Sequence, residues 1–242
     1  MKERKLLIGS LALKLILIIS VLIGFTLNYF YGKMTSGINV ALYFTVQSNL
    51  WIAIIDMVMV VFMIISLVRR TNKIPSVLYR INQVFTVCII ITSLVFLLVL
   101  VPGYYLFDEA TKEDLILFTP ASVLLHVFVP IVAVVDFLAL TRNVRFKRTD
   151  FLYSIAPLGY YLIFALIGYF LNWDFGQGNN FPYFFLNYKS PAGIFGFSNE
   201  MPYFMGSFYW IILLLGIVVG ISALLIFIMN KIMKRAEIKN NK

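Results

Sequence analysis

Few side chains in this sequence could do chemistry, and they fall in two places. One is the string Tyr43-Phe44-Thr45-Val46-Gln47-Ser48-Asn49, with Asp56 further along. The other holds His126, the only histidine, followed by Pro130 and Asp136. Thr45 and Asn49 are four residues apart and share a helix face, and Asp56, eleven on from Thr45, returns nearly to it. A hydroxyl beside an imidazole is the minimum for nucleophilic acyl transfer, because a neutral alcohol attacks poorly until a base takes its proton. Thr45 is then the expected nucleophile and His126 the expected base, with Asn49, Ser48 and Ser122 as supporting polar groups. Asp136 lies roughly 15 Å of helix beyond His126, and Asp56 is similarly far from Thr45. Neither is placed to orient the imidazole as a triad carboxylate does. The two aspartates form a second candidate polar site, pairing between helices or relaying protons.

Each residue also has a plainer reading. A threonine within a membrane helix commonly bonds its own backbone one turn back, and a histidine can simply tie two helices together. Pro130 reads as a kink. Asn82 and Gln83 read as caps at the start of a third helix. One histidine and one cysteine, Cys88, cannot supply a usual zinc set, so no metal or other cofactor is expected.

The elements that must position these groups are membrane helices. Of 242 residues, 61% are hydrophobic and 13% charged, with a mean hydropathy of +0.92; a soluble domain is about a quarter charged. Six apolar blocks, at 6–30, 38–68, 82–106, 117–141, 151–171 and 203–230, are long enough to cross a bilayer. Their continuous character argues for helices rather than an outer-membrane barrel. The expected fold is an all-α integral membrane protein, a single six-helix domain over 1–242. If helices 2 and 4 start near Ile38 and Leu117, Thr45 and His126 both lie roughly 10–14 Å below the helix ends.

Net charge is +9, but its distribution excludes a nucleic-acid stripe. With the N-terminus in the cytoplasm, that side collects Arg4, Lys5, Arg69, Arg70, Arg80, Arg145, Lys147, Arg148 and the basic tail from Lys231. The opposite loops hold only Lys33, Lys112 and Lys189. This asymmetry predicts both termini in the cytoplasm and contact with anionic lipid headgroups. Lys14, in the inner half of helix 1, is expected to snorkel to the cytoplasmic edge. The outer segment 172–202 mixes turn residues with the aromatics Phe181, Tyr183, Phe184 and Phe185, as a lid or as membrane anchors.

The string at 43–49, His126-x-x-x-Pro130 with Asp136, and Phe181-Pro182-Tyr183-Phe184-Phe185-Leu186-Asn187 followed by Gly193 resemble the bacterial six-transmembrane Pr-six-Pr proteins. That family is similar in turn to the androgen-induced-protein family, intramembrane threonine hydrolases that cleave lipid esters, including fatty acid esters of hydroxy fatty acids. The resemblance implies a bacterial plasma-membrane protein with Thr45 as nucleophile and His126 as its histidine partner, acting on a lipid-like substrate. A transporter or channel lined by Thr45, Asn49 and Asp56, and a non-catalytic lipid-binding membrane protein, are the alternatives.

The orientation is testable with single cysteines on a Cys88→Ala background. A membrane-impermeant thiol reagent should label Ser190→Cys in intact cells, and Lys234→Cys only after lysis. The reverse pattern would invert the topology.

Overall fold

The computed structural model describes residues 2–31, 41–71, 74–103, 119–141, 144–176 and 178–240. The acidic stretch at 108–114 and the expected helix start at 38 lie outside them. The described chain is helical, without a strand, and contains six helices long and apolar enough to cross a membrane. These are α1 (Lys2–Tyr31), α2 (Phe44–Val68), α3 (Ser76–Gly103), α4 (Pro120–Leu140), α5 (Asp150–Phe170) and α6 (Ser207–Asn240). The basic end of the bundle carries the close of α2, the start of α3, residues 144–149 and the outer ends of α1 and α6. The other carries the long 171–206 segment.

Large apolar side chains on the outward helix faces stay exposed, among them Leu22, Val61, Ile163 and Phe227. That is what a lipid-facing surface requires. Lipid tails are as apolar as leucine, so burial alone gives little drive for these helices to associate. Close packing and interhelical hydrogen bonds, averaging about 0.6 kcal/mol each, supply it instead. Both devices are present. Gly24 of α1 lets Leu125 of α4 approach so closely that an added Cβ would sit 2.6 Å from Leu125 Cδ2. Gln83 of α3 donates to Ser222 of α6 at 2.9 Å, and Ser222 pairs with Ser154 of α5, also at 2.9 Å. Asn230 of α6 clasps the 141–149 connection, donating to Phe146 O at 2.9 Å and accepting from its N–H at 3.1 Å.

Two expectations are corrected. Helix α3 begins at Ser76, directly after Pro75, six residues earlier than its apolar block suggests. Arg80 lies just before that block, but it pairs with Asp150 of α5 at 3.1 Å and so can sit inside the helix. Asn82 and Gln83 therefore lie buried in the second turn and bond other helices rather than capping their own.

Helices α3 and α4 are not uniform. Phe96–Leu100 forms a π-turn in α3, and Leu124–Phe128 and Asp136–Leu140 form two in α4. Pro130 explains the first π-turn of α4. It has no N–H to offer the carbonyl four residues back, that of His126, and the register shifts so that Val129 N–H donates to Leu124 O. His126 thus sits at the centre of a π-turn, a geometry frequent at functional sites.

Gly24→Val should overpack the α1–α4 contact and cost about 1–3 kcal/mol. Gly216→Val, where an added Cβ meets nothing within 4 Å, serves as the control. Thermal unfolding in detergent should show a lower midpoint for the first variant alone; equal midpoints would mean that α1 and α4 do not pack here.

Candidate functional site

The polar side chains sort into two layers with an apolar one between them. The layer nearer the 171–206 segment contains every residue proposed for acyl transfer. At the start of α2, the carbonyl of Thr45 accepts from Ser48 Oγ at 3.1 Å and from Asn49 Nδ2 at 2.8 Å. Ser48 also pairs with Thr92 of α3 at 2.8 Å. Asn49 is fully buried, and its Nδ2 also reaches Leu125 O of α4 at 3.4 Å. One amide therefore ties the turn that bears Thr45 to the residue before His126. Asn49 Oδ1 is buried and has no partner among the described residues.

The Thr45 side chain has a partner outside its own helix. It faces Tyr183, whose hydroxyl end comes down from the long loop within hydrogen-bonding reach of the Thr45 side chain and backbone and of Tyr161. Burial pushes the Tyr183 hydroxyl up to about 12, so it is a donor at neutral pH. Thr45, Thr92, Tyr161 and Tyr183 line one small cavity of about 30 Å³ with Phe44 and Phe185, enough for a single water. The loop is fastened above it. Tyr43 donates to Phe175 O at 2.5 Å, and Phe175 packs so tightly on Gly168 of α5 that a Cβ there would lie 2.7 Å from the ring. In the sequence Tyr183 stands only as one of several loop aromatics. A loop residue has no periodicity to announce its target.

His126 stacks on Phe96, ring centroids 4.0 Å apart, so the π-turns of α3 and α4 meet here. Its Nδ1 lies 2.9 Å from Ser122 O. A carbonyl can only accept, so Nδ1 carries the hydrogen and Nε2 keeps its lone pair. Ser122 thus supports His126 through its carbonyl, while its hydroxyl accepts from Thr119 at 3.2 Å. The expected match in depth is corrected: α2 starts at Phe44, so Thr45 stands in its first turn rather than 10–14 Å below the helix end, one turn nearer the loop than Asn49, the residue level with Leu125. Among the described residues no hydrogen bond joins Thr45 to His126, and the two are linked through Asn49.

The second layer corrects the expectation for Lys14. Its head does not snorkel. Lys14 is 1% exposed, with Nζ 2.6 Å from Asp56 Oδ1 and 2.8 Å from Asp136 Oδ2. Asp56 Oδ1 accepts a further bond from Asn82 Nδ2 at 2.8 Å, and Asp136 Oδ1 one from Ser10 at 2.5 Å. The second candidate polar site is therefore a buried ion cluster joining α1, α2, α3 and α4. Partners met inside the bundle, so the ammonium had no need of the edge. Buried Leu17, Val21, Ile52, Ile89 and Val129 separate it from the Thr45–His126 layer.

Among the described residues, no three of His, Cys, Asp and Glu gather as a metal set. No family model, curated protein or solved structure matches the chain. What is established is the architecture: a multi-pass helical membrane protein with two internal polar layers.

Lys14→Met should be severely destabilising, by about 3–5 kcal/mol, because it strands two buried carboxylates. Unfolding in detergent checks this. A loss below about 1 kcal/mol, the range of an exposed pair, would show that the cluster does not hold the helices together.

Proposed function

We propose that this protein is a membrane-embedded hydrolase that cleaves a lipid-like acyl ester, with Thr45 as nucleophile and His126 as general base. It lies in a bacterial plasma membrane with the basic end towards the cytoplasm, as the loop charges argue. The observation that carries the reading is Asn49. Its side chain ties the Thr45 turn to the His126 turn, and its own Oδ1 is buried without a partner among the described residues, an acceptor for a donor such as a water or a substrate group. The resemblance to the threonine hydrolases singles out the same two residues.

In this mechanism a water held by Asn49 Oδ1 takes the Thr45 proton and passes its own to His126 Nε2. Thr45 Oγ bonds to the ester carbonyl carbon, and the Tyr183 hydroxyl donates to the oxyanion that develops. The C–O bond to the alcohol then breaks, and the alcohol leaves with the proton from His126. A second water, deprotonated by His126, attacks the acyl-threonine, releasing the carboxylic acid and restoring Thr45. The substrate's tail has a path. A groove of about 680 Å³ between α2, α3 and α5 is lined by Trp51, Phe85 and Tyr160. Trp51 packs edge-on against Phe44, which also lines the Thr45 cavity, at 5.9 Å between centroids. That aromatic pair stands between groove and nucleophile, and parting it would admit an acyl chain from the lipid.

The rival reading is a transporter, favoured by the buried ion cluster; it requires Asp56 for uptake and tolerates loss of Thr45. A fluorophosphonate probe on the detergent-purified protein separates the two. Labelling should vanish in Thr45→Ala, persist in Thr45→Ser, and slow by about 10²–10⁴ in His126→Ala. Equal labelling of wild type and Thr45→Ala, or none of a folded wild type, would sink the hydrolase reading.

A further inference from the structure

We infer that the Lys14–Asp56–Asp136 cluster is a proton-binding site, in which one exchangeable proton is held on the two carboxylates and reached from the basic end of the bundle. This stands independently of the hydrolase reading, since the apolar layer separates the cluster from Thr45 and His126.

The argument begins with counting. Two carboxylates, each at most 2% exposed, face a single ammonium. Fully ionised, the cluster would carry a net charge of −1 inside a bundle surrounded by lipid. An uncompensated buried charge is costly enough that such a group neutralises instead. The remaining partners do not supply the missing positive charge. Asn82 and Ser10 are neutral donors, one to each aspartate. Arg80, two residues before Asn82 on α3, is turned to Asp150 of α5. Helix α6 also packs on the end of α4, and its cations begin at Lys231, which is exposed over the Phe227 ring. A proton on either carboxylate brings the cluster to zero.

Access is one-sided. A small cavity of about 20 Å³ at the basic end is lined by Glu3, Ser10, Tyr79 and Thr141 on one hand and by Leu6, Leu7, Met63 and Leu140 on the other. Ser10, which closes it, donates to Asp136. Glu3, exposed at the mouth, is the acid through which a proton would enter from water, and Ser10 is the group in the same cavity that meets Asp136. In the other direction lie Leu17, Ile52, Ile89 and Val129, all buried and apolar, and the buried hydroxyl of Thr86, one turn on from Asn82 in α3, donates back to Asn82 O at 2.8 Å. The reaction is transfer of a proton from a hydronium to a carboxylate oxygen, leaving water. Loading and unloading this site changes the charge that α1, α2 and α4 share.

Infrared spectroscopy of the wild-type protein in lipid nanodiscs tests this directly. At neutral pH it should show one protonated carboxyl stretch per chain, shifted in heavy water and lost on raising the pH. Asp56→Asn and Asp136→Asn, each leaving a neutral cluster, should each remove the band, and Lys14→Met should double it. A wild type with no protonated carboxyl at neutral pH would overturn the proposal whatever the variants do. So would a band that survives in both aspartate variants.

Discussion

A lysine ammonium inside a membrane bundle has to be met by carboxylates, and here that requirement organises the helices. Lys14 can reach Asp56 and Asp136 together only if α1, α2 and α4 stand in one register, and Asn82 brings α3 into the same plane. Buried ion pairs are weak evidence of net stability, because desolvation offsets much of the attraction. Their strength lies in how sharply they penalise misalignment. A slip of one residue along α1, α2 or α4 would break an ion pair.

That register is transmitted upward by helical spacing. Along α2, Asp56, Ile52 and Ser48 follow at four-residue steps, placing an ion, an apolar and a hydroxyl layer on one stripe. The bond from Asn49 to Leu125 then lies where the aligned α2 and α4 must meet. The two π-turns at Phe96 and His126 belong to the same level, where Pro130 has already disturbed the α4 ladder. Irregular backbone, a stacked imidazole and an orphaned amide oxygen coincide in one slice of an otherwise regular bundle. The loop completes it from above through Tyr183, and Tyr43 anchors that loop to the start of α2.

Much of this was legible in the sequence, for physical reasons. The six helices are written in apolar runs that have no other use at that length, and the costly polar residues inside them marked both layers. The pairings were not legible. Spacing within one helix fixes which residues share a face, but not which helix that face meets. Lys14 read alone looked like a snorkelling cation; beside Asp56 and Asp136 it is the centre of the bundle. Asn82 and Gln83 looked like caps because Arg80 seemed to end the membrane run, and its partner Asp150 lies seventy residues away. The Thr45–Tyr183 contact is made by a loop residue, for which no periodic rule exists.

The central claim is that Thr45 forms a covalent acyl intermediate. It is tested most directly by mixing the purified protein with an activated medium-chain acyl ester, quenching early, and mapping the added mass by peptide sequencing. The account predicts one acyl group on Thr45, released by hydroxylamine and accumulating before steady-state turnover. Ester turnover with the acyl group on another residue, or with no acylated peptide at all, would contradict it.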